Sequence, residues 1–270
     1  MKNPFVISAL ILILICSSGQ SFVKAQNFML DQYLFGPSAI PMENGEVRYR
    51  NNGITLNSLH AGITDHLSVD AGCELLLSSM LILLDRGGFI SFANVKYGHS
   101  FQENFHLGGG VFVGGMLSSD VYNRSGFVSP YGVATFGNHL NNFSLAIGTP
   151  IGTDYHPSFL MLSGKLNLGR RLDFISENYY LLQSSDSHHL SVNGDRKEGG
   201  KSISRYIVSS FAVRIYSRPG NLDLGISNFH SAHYTSFLDE NSPSGRTRLT
   251  SNQFWFPIPI PIVAFTMSFN

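Results

Sequence analysis

Ile54 to Leu77 reads ITLNSLHAGI, then a tight break at Thr64-Asp65-His66, then LSVDAGCELLL. In the second half Leu67, Val69, Ala71, Cys73, Leu75 and Leu77 alternate with Ser68, Asp70, Gly72, Glu74 and Leu76. A period of two puts an almost wholly apolar face and a face carrying both carboxylates on opposite sides of a strand. The same alternation recurs down the chain between polar turns, with no helical segment to cover the apolar faces. The expected fold is all-β: a sheet closed on itself into an antiparallel transmembrane β-barrel, with lipid outside and water inside.

Toward the N-terminus, Lys2 precedes an apolar run from Phe5 to Ile15, and Val23-Lys24-Ala25 supplies a cleavage site. Residues 1–25 therefore read as a secretory signal peptide, the run being shorter than the ~20 residues a spanning helix needs. Ile15 stands before Cys16, where a lipoprotein signal requires a small side chain, so lipidation is discounted. Removal of the signal leaves Cys73 as the only cysteine, which excludes an internal disulfide. Residues 26–45 contain YLFGPSAIP, have no period and are interrupted by Pro37 and Pro41. They read as a periplasmic lead-in tucked against or into the barrel, which occupies residues 46–270.

Composition agrees with this reading. Only 13% of the 270 residues are charged, 12% are aromatic, 27 are glycine and the formal net charge is zero. No basic tract points to nucleic acid.

From the organising hairpin toward the C-terminus, tight breaks at Thr64, Gln102, Asn138, Arg170 and Pro219 alternate with longer ones after Leu77, Met116, Ile147, Gln183 and His230. That order predicts about 12 strands, an even number, with short periplasmic turns, long extracellular loops and both termini on the short-turn side. Ser184 to Ser204 and Ser231 to Gln253 read as long polar loops. The prolines of Phe254 to Pro261 (FWFPIPIP) indicate extended chain at the rim, and the apolar run from Met80 to Leu84 fits either a strand extension or a short interfacial helix.

The closing segment VAFTMSFN (263–270) resembles the assembly signal of bacterial outer-membrane β-barrels, and GITDHLSVDAG (62–72) is similar to a strand-turn-strand unit common among them. With the YLFGPSAIP lead-in before such a hairpin, the chain resembles a group of uncharacterised, porin-like or transporter-like barrels of that class. The resemblance implies residence in the outer membrane of a Gram-negative bacterium, with outer-membrane lipid and the barrel assembly machinery as partners. One departure is that Asn270 follows Phe269, where the signal usually ends on the aromatic residue.

Within a barrel of this kind, period two assigns Arg48, Arg50, Asp70, Glu74, Lys96, Lys165 and Arg214 to the lumen, with Glu177 and Arg205 unassigned. Mixed charges suit either a narrow aqueous path or pairing across the lumen. The expected function is a small channel or transporter-like pore for polar solutes, and not an enzyme. Two alternatives stand beside it: a structural or adhesion barrel with partner-binding loops, and a lipid-acting hydrolase with its serine and histidine at the lipid-facing surface. For the hydrolase His60 beside Ser58 is the candidate, although no nucleophile elbow is present. His188-His189 and the pair His230 and His233 lie in polar loop sequence without a ligand framework, so no metal is expected. Gly108-Gly109-Gly110 sits in an alternating strand and precedes no helix, which excludes a dinucleotide loop and any cofactor of that kind. Its glycines read as reducing side-chain volume in the lumen. On the same reading Leu162 points to lipid and Ser163 to water, so Ser163→Arg is expected to be the better tolerated change of the two.

Overall fold

The computed structural model describes residues 32–270 except 54, 76–77, 79–87, 119–124, 152–156, 187–188, 191–195, 198–200, 218–219, 239–246, 256–258 and 270. The signal-peptide segment, Met80 to Leu84 and parts of both long polar segments lie outside the described residues.

The fold is a closed antiparallel barrel of 12 strands. In chain order these are β1 Val47–Asn52, β2 Leu56–Gly62, β3 Leu67–Glu74, β4 Gly88–Gln102, β5 Phe105–Ser118 and β6 Ser125–Gly137. They continue with β7 Asn142–Gly148, β8 Ser158–Gly169, β9 Leu172–Asp186, β10 Lys201–Ser217, β11 Gly220–Leu238 and β12 Ile260–Phe269. Each strand pairs with its neighbours in sequence, and β12 closes the circle on β1 from Val47↔Phe269 to Asn52↔Ala264. Closure matters physically because an open edge would leave a row of backbone donors and acceptors without partners.

Alternation is strict. On β7 the residues from Asn142 to Gly148 are alternately buried and exposed, and on β8 Leu162 is 53% exposed while Ser163 is 2% exposed. Along the strands the exposed large side chains are mostly aliphatic or aromatic, whereas many of the buried ones are polar: Arg50, Thr135, Ser144, Glu177, Arg214 and Asp223 are at or near zero exposure. The barrel is thus apolar outside and largely polar within, the inverse of a water-soluble core.

Tight turns gather at one end of the barrel and the long connections at the other. Gly137 opens one of the tight turns at φ 109°, where a Cβ would lie 2.2 Å from the Asn141 carbonyl oxygen. Gly53, at φ 61°, makes the one short reversal at the opposite end. Strands rise well past the barrel rim at that end. The segment read as a polar loop from Ser231 to Gln253 is instead largely strand: β11 runs on to Leu238, and Thr247–Trp255 returns along it from Leu238↔Thr247 to His230↔Trp255. The sequence of this hairpin does not alternate apolar and polar residues, so a period of two gives no sign of it. Pro261 falls within β12 opposite Ile226 rather than in rim chain.

Because the circle depends on β12, deleting Ile260–Phe269 should abolish the faster migration that a closed barrel shows on an unheated denaturing gel, while the intact chain keeps it. Identical migration of heated and unheated intact protein would contradict closure.

Candidate functional site

The lead-in enters the barrel. Tyr33, Leu34, Ser38, Ala39, Ile40 and Met42 are buried, and the chain from Gln32 to Met42 meets the wall around much of its circumference. Backbone groups make most of these contacts. An irregular segment has no ladder of its own, so its amides and carbonyls must find partners wherever it is buried.

At its tip the Leu34, Phe35 and Gly36 amides donate to the Glu177 carboxylate on β9, at 3.0, 3.1 and 3.1 Å. The Tyr33 carbonyl accepts from two guanidiniums, Arg50 on β1 at 3.1 Å and Arg214 on β10 at 2.9 Å. Both arginines also bind Asp223 on β11, Arg214 through Nε at 2.7 Å and Arg50 through Nη2 at 3.1 Å. The Tyr33 hydroxyl donates to Asn142 Oδ1 at 2.7 Å and lies 2.7 Å from Ser144 Oγ on β7. Burial pushes this phenol above its ordinary range, with the Ser144 hydrogen bond working the other way and the Glu177 charge adding to the rise.

Past the tip the chain descends to the short-turn end. The Ala39 amide donates to Thr135 Oγ1 at 2.7 Å on β6, and the Lys96 ammonium on β4 donates to the Ser38 and Ile40 carbonyls at 3.1 and 3.4 Å. Two wall glycines admit the backbone here: a Cβ at Gly98 would lie 2.5 Å from the Ala39 oxygen, and one at Gly62 2.0 Å from the Glu43 oxygen. In the lumen, then, glycine makes room for the lead-in and not only for water.

Of the seven residues assigned to the lumen by period two, Arg48, Arg50, Lys96, Lys165 and Arg214 are buried and Asp70 borders a lumenal cavity. Arg50, Arg214 and Lys96 hold the lead-in; Arg48 pairs with Glu46 at 2.6 Å; Lys165 lies 3.7 Å from Asp173. Asp70 accepts from Asn94 at 2.8 Å, and Glu74, at the long-connection end of β3, accepts from the Ser78 amide at 3.0 Å. Of the two left unassigned, Glu177 is fully buried inside and Arg205 is exposed on the outward face with Ile207. Ser163 pairs across β8 and β9 with Glu177, in packed surroundings, so Ser163→Arg is not the tolerated change a water-filled lumen would permit.

Above the lead-in, toward the long connections, the lumen holds a cavity of about 530 Å³. Its floor is made by Gln32 and residues 35–37. One side is aromatic, and the strand register explains how rings fit inside. Gly72, Phe92, Gly114 and Phe127 stand directly opposite one another on β3 to β6, and Gly110, Tyr131, Gly148 and Phe159 on β5 to β8. Each ring lies over the glycine beside it: a Cβ at Gly72 would come 2.5 Å from the Phe92 ring and one at Gly148 2.3 Å from the Phe159 ring. Phe112 packs against the first row, its centroid 5.7 Å from those of both Phe92 and Phe127. The other side is polar, with Asn52, Ser58, His60, Asp70, Asn94 and Lys96.

His60 and Ser58 do come together, Ser58 Oγ lying 2.9 Å from His60 Nε2. Both are buried on the inward face, not at the outward surface where a bilayer-acting hydrolase would carry them. Glu177 was left unassigned by the sequence, and Asp223 and the aromatic rows were not singled out from it. The Gly/aromatic rows are visible in it only once the register of neighbouring strands is known. The chain matches no protein-family model and no curated protein.

Two substitutions test this clamp. Asp223→Ala leaves two buried guanidiniums on one carbonyl and should destabilise the fold by about 3 to 5 kcal/mol, measured by denaturant unfolding. Glu177→Gln removes the charge that gathers three amides; limited chymotrypsin should then cut at Tyr33 or Phe35 while the gel-migration signature of the barrel persists.

Proposed function

We propose that this protein is an outer-membrane barrel of the transporter-like kind, which takes a small solute into its lumen from the long-connection end and is shut at the other end by its own lead-in. The observation that carries this reading is the position of Tyr33 to Met42, held within the circle by Glu177, Arg50, Arg214, Thr135 and Lys96 on five different strands.

Membrane residence is supported by the outward face. Leu107, Val111, Val113, Phe143, Leu145, Ile147, Leu160 and Leu162 are exposed, and a closed barrel with such an exterior and a polar interior leaves no apolar face for a soluble core. The expected partners follow from this: outer-membrane lipid, and the machinery that inserts such barrels. A permanently open polar pore has weaker support, since Arg50, Arg214 and Lys96 are engaged by the lead-in and Arg48 and Lys165 by neighbouring carboxylates. The segments that an adhesion barrel would use, Ser184 to Ser204 and Ser231 to Gln253, lie partly outside the described residues, and the second is largely strand.

Deleting residues 32–44 should raise single-channel conductance in planar bilayers well above that of the intact chain, which should be nearly silent. Equal conductance of the two would remove the lead-in from the mechanism. Membrane residence has its own test. The protein should fractionate with the outer membrane, and Leu162→Arg should destabilise it by about 2 to 4 kcal/mol in lipid; recovery as a soluble periplasmic monomer would overturn the reading.

A further inference from the structure

We infer that the cavity above the lead-in is a binding site for one uncharged amphiphile, a molecule with an apolar body and a neutral head bearing hydroxyl or amide groups. The inference rests on the transporter-like reading and specifies the class of solute.

Size and partition argue for a small molecule. A volume of about 530 Å³ lies within the ~300–1,000 Å³ usual for small-ligand sites. The two sides of the cavity are chemically distinct. The ring rows from Phe92 to Phe127 and from Tyr131 to Phe159 present apolar surface that water wets poorly, and the glycines beside them keep that surface flat and unobstructed. A lumen meant only for water and ions gains nothing from phenylalanines turned inward, each of which could have stood on the outward face at no cost in burial.

The polar side fixes the head group. The Tyr131 hydroxyl donates to Asn94 Oδ1 at 3.1 Å and Asn94 donates to Asp70 at 2.8 Å, forming a relay beside the Ser58–His60 pair. Hydroxyls, an amide and an imidazole can each exchange donor and acceptor roles with a neutral head. Charged heads fit less well. An anionic head would meet the Asp70 carboxylate, and a cationic one would meet Lys96, whose ammonium already serves the Ser38 and Ile40 carbonyls. Asp70 and Lys96 line the same cavity with opposite signs, so its formal balance favours a head of no net charge.

The test uses the full mature chain in lipid nanodiscs, with three probes of equal tail length: 1-decanoylglycerol, decanoate and decylamine. Native mass spectrometry after ejection from the disc reads the adducts. The expected result is a saturable 1:1 adduct with decanoylglycerol and about tenfold weaker binding of both charged probes, as the cost of burying an unmatched charge requires. Ser129→Trp, which fills the cavity from β6, should abolish the adduct although its disc offers the same bilayer. Asp70→Asn should raise decanoate binding toward that of the neutral probe. No 1:1 adduct with any probe, an adduct undiminished by Ser129→Trp, or a preference for either charged probe would overturn the inference. The gel-migration signature, measured on every variant, separates these outcomes from loss of the barrel, and lead-in conductance is read independently of all three probes.

Discussion

Two guanidiniums meet on one carboxylate and on one carbonyl of the lead-in, and the interior of this barrel turns on that meeting. Arg50 and Arg214 both bind Asp223 and both reach the Tyr33 carbonyl. A carbonyl dipole cannot neutralise a charge, but it supplies the acceptor that buried N–H groups require. On the opposite side the roles are reversed: Glu177 is a fully buried carboxylate whose neighbours are three lead-in amides and the Tyr179 hydroxyl. Wall cations grip the lead-in by an oxygen and a wall anion grips it by its nitrogens. An irregular peptide offers both within four residues, at Tyr33 and at Leu34 to Gly36, which a side-chain plug of either sign alone could not.

The remaining features of the lumen follow from that placement. With the tip fixed between β9 and β10, the chain has to descend along β4, β6 and β2 to reach β1, and Gly98 and Gly62 lie where its backbone passes closest. What remains above the tip is walled by the upper halves of the strands. There the inward positions on β3 to β8 alternate glycine with an aromatic from one strand to the next. Neighbouring inward side chains on adjacent strands are about 5 Å apart, too close for two rings to lie flat side by side, so a glycine at every second place lets each ring spread over its neighbour's backbone.

How far this was legible in the sequence depends on which constraint acted. The closed barrel could be read from residues such as Leu67, Val69, Leu160 and Leu162 because an outward face is apolar whatever its neighbour carries, and that requirement repeats every second residue. Inward faces obey no such single rule. Phe92 looks like any outward phenylalanine until its pairing with Gly72 and Gly114 is known, and pairing is a property of two strands. Glu177 sits where a lumenal acid could sit in water; only the arrival of Leu34 to Gly36, some 140 residues earlier in the chain, makes it a clamp. The hairpin of β11 with Thr247–Trp255 was read as loop because its sequence does not alternate apolar and polar residues.

A tightly held lead-in and a transporter-like reading are compatible because of what holds it. Leu34 and Ala39 are buried against small apolar clusters with Ile175, Ala212, Val133 and Met161, but the contacts that span the circle are hydrogen bonds. When water enters a lumen it replaces such bonds one for one, so each costs only its net contribution, about 0.5–1.5 kcal/mol between neutral groups and about 1.5–3 kcal/mol where one is charged. An apolar plug of similar size would instead lose its burial outright on exposure. A polar clamp therefore costs less to exchange for water than an apolar plug of the same size. A solute that wedges into the cavity beside Gln32 and Phe35 would act where the tip borders open volume, next to the amides that Glu177 gathers.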